Sequence, residues 1–138
     1  MIQIEDCISF LLGKAGQRVT RRARELLAEH GVTPMQYAAL CVLWEQDGQT
    51  AADLGARLVI DSATMTGIID RLERDDLVTR RPDESDRRAI CLYLSKRGKA
   101  LKSPLDAAME ILNLEVATLL GRESAGFLRM LRKIGAGG

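Results

Sequence analysis

Two short stretches of this chain carry side chains suited to recognition rather than to bond-making. Residues 82–90 read P-D-E-S-D-R-R-A-I, with Asp86, Arg87 and Arg88 side by side behind two further carboxylates, Asp83 and Glu84. Arginine is permanently cationic, and its planar fork fits a narrow groove of negative potential. Asp86, two residues before Arg88, can hold that guanidinium in position while Arg87 points away toward phosphate. The competing reading is an exposed turn whose charges pair only with each other, at about 0–1 kcal/mol per pair. The second stretch, D-S-A-T-M-T-G-I-I-D-R-L-E from Asp61 to Glu73, mixes small hydroxylated residues with large apolar ones. As a helix it turns Met65, Ile68, Ile69 and Leu72 to one face and Ser62, Ala63, Thr66 and Gly67 to the other. A solvated helix face is normally dominated by charged residues, so a small front that is partly hydroxylated asks for another partner. Hydroxyls on Ser62, Thr64 and Thr66, clearance at Gly67 and the cation of Arg71 suit a polyanion with hydrogen-bonding edges.

Catalysis finds little footing. The one histidine, His30, sits beside Gly31 at a helix end, where it suits the helix dipole, and no cysteine or carboxylate pair recurs near it. The glycines are scattered or terminal and form no phosphate-cradling loop. Cys7, Cys41 and Cys91 stand far apart with no C-x-x-C, so neither a disulfide framework nor a zinc site is implied. No enzyme activity, metal or cofactor is expected.

The chain has 138 residues, 46% of them apolar, enough for one domain with a real core. No uncharged apolar run approaches the ~18 residues of a membrane span, and M-I-Q-I-E-D-C lacks the basic start of a secretory signal, so a cytoplasmic protein is expected. Net charge is only +1. Yet residues 71–102 hold ten basic residues against six acidic ones, and Lys14, Arg18, Arg21, Arg22 and Arg24 form a second cluster. Local basic patches on a neutral chain point to a directed surface.

The positioning elements follow from periodicity. Ile8, Leu12, Ala15, Val19, Ala23 and Leu26 mark one face of a first helix, stopped by Gly31. Thr33, Pro34 and Gln36 make a capping-box start for a second helix that turns Tyr37, Leu40, Cys41 and Trp44 inward and ends near Gly48. Thr50 caps a short third helix carrying Leu54 and Leu58, and Asp61 begins the fourth. The period then changes to two: residues 78–81 and 90–94 read as strands, with Ile90, Leu92 and Leu94 on one side, joined by the turn that holds Arg88. Ser95 caps a long helix that Pro104 kinks or restarts, with Leu101, Leu105, Ala108, Leu112, Val116 and Leu119 as its stripe. Residues 127–134 close the chain before a Gly-rich tail.

Two short helices followed by a hairpin predict a winged helix-turn-helix: mainly α with a small β-hairpin wing, flanked by N- and C-terminal dimerisation helices. In this motif the second short helix enters the DNA major groove, and a hairpin tip beside it reaches the adjacent minor groove. A single domain over 1–138 is expected, with its winged core at 33–95 and dimerisation helices at 1–31 and 96–135. The terminal stripes are hard to bury within one monomer of this size. Two-fold symmetry would set the reading helices one DNA turn, about 10 bp, apart.

The chain resembles the MarR (multiple-antibiotic-resistance regulator) family of bacterial transcription factors. The resemblance rests on Thr33-Pro34 with Gln36-Tyr37, Leu43-Trp44-Glu45, Leu54, Asp61-Ser62-Ala63-Thr64, Asp70-Arg71-Leu72-Glu73, Asp86-Arg87-Arg88, and Leu94-Ser95 with Gly98. It implies an obligate homodimer that binds a pseudo-palindromic double-stranded operator, with no membrane partner. It also implies release by a small phenolic or similar effector, or by an oxidant. The implied ligand pocket lies between the first two helices, the reading core and the dimer partner. Arg18, Met35, Tyr37, Trp44 and His30 are available there for a planar anion; Tyr37 and Trp44 also read as core, and Arg18 as a solvated face.

One branch of that family, the organic-hydroperoxide repressors, uses a first-helix cysteine near tyrosines. The corresponding position falls on Ser9, followed by Phe10, and Tyr37 matches one of the tyrosines. Cys7 lies about 200° around a helix from Ser9 and is expected to face another way. A redox role for Cys7, an ordinary helix cysteine there, and a dimeric interaction module that no longer reads DNA remain alternatives; Cys41 and Cys91 read as buried and inert.

Overall fold

A computed structural model describes residues 1–136. Gly137 and Gly138, the end of the expected Gly-rich tail, lie outside the described residues. After a 3₁₀ turn at Ile4–Asp6, the helices are α1 (Ile8–Ala28), α2 (Pro34–Glu45), α3 (Ala51–Leu58), α4 (Ser62–Arg74), α5 (Lys96–Ala100), α6 (Lys102–Leu120) and α7 (Ser124–Gly135). Three strands, β1 (Gln49–Thr50), β2 (Val78–Pro82) and β3 (Ile90–Leu94), form an antiparallel sheet in the order β1-β3-β2.

Local chemistry sets the helix starts. Thr33 and Gln36 form the reciprocal capping box, with Gln36 N–H to Thr33 Oγ1 at 3.1 Å and Thr33 N–H to Gln36 Oε1 at 2.9 Å. Thr50 and Asp53 repeat it at α3, while Asp61 caps α4 and Ser95 caps α5. The turn between α3 and α4 is tight: a Cβ on Gly55 would meet the Ile60 carbonyl oxygen at 2.9 Å. Gly98 lets α5 pass directly over the Leu77 carbonyl, where a Cβ would overlap.

The core joins Leu27 at the end of α1 to Leu40 and Leu43 of α2, Leu54 of α3, Met65, Ile69 and Leu72 of α4, Leu92 of β3 and Leu105 of α6. The α4 face is buried as its spacing requires. Several expectations need correction. In α1 only Ala23 and Leu27 are buried; Ile8 and Val19 are exposed and Leu12 and Leu26 half-buried, because the helix runs past the core. The α2 helix ends at Glu45, and Leu40 is buried while Tyr37, Cys41 and Trp44 are half-buried. The two-residue β1, pairing Gln49 with Leu92, is an addition, since so short a strand has no period to detect. Ile90 is exposed where β3 leaves the core, whereas Cys91 is buried as expected. The helix after Ser95 is interrupted as expected: it breaks at Leu101 and restarts at Lys102, with Pro104 in the first turn, where a missing N–H costs little. Leu105, Ala108 and Leu112 of α6 are buried but Leu119 is exposed, and α7 buries nothing.

Candidate nucleic-acid interface

The α4 front and the tip of the β2–β3 hairpin both face solvent. Ser62, Ala63, Thr66 and Gly67 are exposed opposite the buried Met65, Ile68, Ile69 and Leu72, and nothing lies within 4 Å of a Cβ built on Gly67. The hydroxyls are unequal. Thr64 donates its amide to Asp61 Oδ1 at 2.8 Å and its hydroxyl to Asp61 Oδ2 at 2.9 Å. These bonds, the amide first, hold the Asp61 carboxyl below the usual range. The Thr66 hydroxyl donates to the Ser62 carbonyl at 2.8 Å. Both threonine protons are therefore committed, which leaves these oxygens as acceptors and Ser62 as the exposed hydroxyl nearest the helix start. Arg71 is exposed in the last turn.

In the hairpin, Asp83 donates its amide to the Ala89 carbonyl at 2.9 Å and Ala89 donates to that of Asp86 at 3.0 Å. The Asp86 carboxylate accepts the Arg88 amide at 3.1 Å and lies 3.5 Å from its Nε. Asp86 thus fixes the turn and sits beside the guanidinium, while the Arg88 side chain remains 96% exposed. Arg87 is exposed beside it.

Sequence reasoning missed Arg80. Its two terminal nitrogens reach Asp70 Oδ1 at 2.6 Å and Glu73 Oε1 at 2.7 Å, joining the hairpin to the exposed side of α4. The signal was the period-two pattern of β2, which sets Arg80 on the same side as buried Val78. Its neighbour Arg81 lies over the Tyr93 ring at 4.8 Å, on the other face.

The candidate ligand residues come together only in part. Tyr37 and Trp44 meet edge to face at 5.9 Å. The Tyr37 hydroxyl donates to Asp106 Oδ1 at 3.0 Å, Trp44 Nε1 donates to the Gly98 carbonyl at 3.0 Å, and Lys102 Nζ pairs with Asp106 at 2.7 Å while lying 5.7 Å from the Trp44 ring centre. Burial first, then contact with Cys41 and Asp106, pushes the Tyr37 hydroxyl up, and burial pushes the Cys41 thiol up. Met35 is exposed at the start of α2, Arg18 is exposed on α1, and neither joins this cluster; His30 is half-buried at the end of α1. From α1 it is Arg22 that reaches α6, through Glu115 at 2.7 Å.

Cys7 departs from its expected geometry. It is the extended N-cap residue of α1, outside the helix, so its thiol does not face away from Ser9 but lies 3.2 Å from the Ser9 hydroxyl. That contact first, then the Phe10 and Ser9 amides, lowers its pKa. Among the described residues, no group of three or more His, Cys, Asp or Glu could hold a metal ion, and no helix is long and apolar enough to cross a membrane.

Comparison with known proteins agrees with this architecture. Residues 32–90 match the sequence profile of the MarR family. The HTH-type transcriptional regulator TtmR of Methylorubrum extorquens (strain PA1) is 36% identical over 103 residues, which cover 75% of this chain and only 53% of that relative. The organic hydroperoxide resistance transcriptional regulator of Bacillus subtilis (strain 168) is 34% identical over 101 residues, 73% of this chain and 69% of the relative. At 25% identity the chain superposes on the transcriptional repressor CouR bound to a 23-mer DNA duplex, with TM-score 0.84 over 98% of this chain and 99% of the other. CouR from Rhodococcus jostii RHA1 bound to p-coumaroyl-CoA superposes with TM-score 0.82 over 97% and 95% of the two chains, also at 25% identity. The winged helix-turn-helix, its Asp61-capped α4 and these relatives agree: the chain belongs to the MarR family.

Proposed function

We propose that this chain is a sequence-specific, double-stranded-DNA-binding transcriptional regulator. As a homodimer it represses from a pseudo-palindromic operator and is released by a small aromatic acid or related effector. The observation that carries this reading is the pair of solvent-facing features on one winged core: the small-residue front of α4 and Arg88 at the hairpin tip beside its steering Asp86. Ser62, Thr64, Thr66, Gly67 and Arg71 then meet the major groove, Arg88 enters the minor groove, and Arg87 meets phosphate. CouR, a repressor with one structure bound to a DNA duplex and another bound to p-coumaroyl-CoA, supports both halves of the proposal. Tyr37 and Trp44, with Met35, Arg18 and the partner chain around them, form the effector region.

Exposed area supports the dimer. The chain exposes 9819 Å². A compact monomer of this mass exposes about 7,100 Å², so the excess is about 2,700 Å² per chain, or about 5,400 Å² for two chains, at the upper end of obligate interfaces. Exposed apolar residues concentrate on α1, α6 and α7, including Ile8, Ile111, Leu114, Leu119 and Leu128. Residues 33–95 are then the reading core, and 1–31 and 96–135 the dimerisation helices.

The test is fluorescence anisotropy of the purified protein with a duplex from its own upstream region, in a salt series beside scrambled DNA. Tight, salt-steep binding favouring the native duplex, lost in Arg88→Ala, is the expected result. Equal weak binding to both duplexes would mean a distant operator or a dimeric interaction module that no longer reads DNA. A thiol-sensing regulator is the second reading, favoured by the Cys7–Ser9 contact and the lowered Cys7 pKa. Hydroperoxide should then release DNA from the wild type and not from Cys7→Ser; equal behaviour of the two rejects it.

A further inference from the structure

Two carboxylates stand on the side of α4 that has to approach DNA. Asp70 lies three residues after Gly67 and seven after Ala63, on the exposed line opposite Met65, Ile69 and Leu72, and Glu73 flanks it one turn on. Their side chains are 61% and 45% exposed. An unpaired carboxylate there would meet the phosphate backbone with like charge across a short, partly desolvated gap. Arg80 reaches both carboxylates at once, at 2.6 and 2.7 Å, with its side chain 32% exposed. Both terminal nitrogens of Arg80 are engaged on α4, so its guanidinium is turned toward that helix. Its neighbours along the hairpin, Arg87 and Arg88, have the opposite character: both are open to solvent.

We infer that Arg80 is a positioning residue for DNA recognition: it masks Asp70 and Glu73 so that α4 can approach the polyanion, and it does not itself bind DNA. The inference rests on the reading of α4 as the DNA-reading helix. The group of three carries one negative charge with the arginine and two without it. A carboxylate pair held by the guanidinium also cannot swing forward onto the α4 front. Loss of Arg80 therefore acts as repulsion, whereas loss of Arg88 acts as a missing contact. Arg80 also fastens the hairpin to α4, and a merely mechanical role would share part of this behaviour, so the test has to separate charge from geometry.

The experiment compares wild type, Arg80→Met, Arg80→Met with Asp70→Asn and Glu73→Gln, and Arg88→Ala, by anisotropy on the upstream duplex at several salt concentrations. Methionine keeps an unbranched apolar stem of similar reach, and these exposed ion pairs contribute little to folding, so the variants should remain folded dimers. Arg80→Met should bind about tenfold more weakly near 0.1 M salt, with the deficit shrinking as salt rises. The triple variant should return to within about threefold of wild type, because the repulsion goes with the carboxylates although the arginine is still absent. Wild-type affinity in Arg80→Met overturns the inference. So does a triple variant as weak as Arg80→Met, since the arginine would then be touching DNA or acting only as a mechanical tie. Failure of the wild type to prefer its own duplex, with Arg88→Ala no different, overturns the DNA-binding reading and this inference with it.

Discussion

The side-chain amide of Gln36 donates to Asp75 Oδ2 at 2.9 Å, tying the first turn of α2 to the residue that ends α4. Gln36 is a buried polar residue of the core, 2% exposed, and its bonds to Thr33 and Asp75 are structural. The same α4 terminus is held from the other side, where Arg97 donates to the Asp75 carbonyl and Ser95 Oγ to that of Asp76. One residue along α2, Tyr37 reaches Asp106 on α6 instead. Adjacent side chains of α2 therefore hold α4 and the long helix α6 that leads out of the core. Gln36→Leu should leave the Thr33 amide and one Asp75 oxygen without their partner and cost about 1–3 kcal/mol. Urea unfolding measures this. Unchanged stability would mean that solvent replaces Gln36 at both bonds.

Acid should loosen the α2–α6 contact. Pairing with Lys102 first, and the Tyr37 hydroxyl after it, hold the Asp106 carboxyl below the usual carboxylate range. A folded pKa below the unfolded one stabilises the native state above the unfolded value, about 3.9, and that contribution disappears as pH falls through the folded value. Wild type should therefore be more stable than Asp106→Asn at neutral pH, with the gap closing below about pH 4. A pH-independent gap, measured by thermal melts, would show that Asn preserves none of the hydrogen bonding and that charge is irrelevant.

What could be read from sequence was local. Thr33, Thr50, Asp61 and Ser95 announce their helices because a cap needs only a side-chain oxygen within three residues of its donor. The two faces of α4 follow from a 3.6-residue period with unambiguous apolar members. Arg80, Gln36 and Asp106 act across separations of 7 to 69 residues, and nothing in their neighbourhoods names the partner. Cys7 differs for another reason: it is the extended N-cap, and a helical angle does not apply to a residue just outside the helix. In α1 the period was legible, but not which turns of the helix still touch the core.

The exposed apolar face of α6 makes a direct prediction. Leu114 is 69% exposed and Ile111 49%, on a helix whose other side buries Leu105, Ala108 and Leu112. A charge at Leu114 is harmless to a monomer, because the site is already wet, but leaves an uncompensated ion inside a dimer interface. Leu114→Arg should shift sedimentation from dimer toward monomer while the far-ultraviolet helix signal persists, and operator affinity should fall because two half-sites are no longer read together. A dimer of unchanged affinity would place the interface elsewhere.

Ser62 and Thr64 should behave differently although both are hydroxyl residues at the start of α4. The Thr64 hydroxyl is bonded to the capping Asp61 at 2.9 Å, whereas Ser62 faces solvent. Thr64→Ala removes an exposed charge-assisted bond to the capping Asp61, so it should lower the melting temperature slightly and weaken binding to every duplex alike. Ser62→Ala should leave stability unchanged and reduce discrimination at one operator position, by about fivefold for a single hydrogen bond to a base edge. Binding to a panel of duplexes, each altered at one base pair, separates the two cases. A uniform loss in Ser62→Ala would assign that hydroxyl to phosphate, and a position-specific loss in Thr64→Ala would mean that its bond to Asp61 opens when DNA arrives.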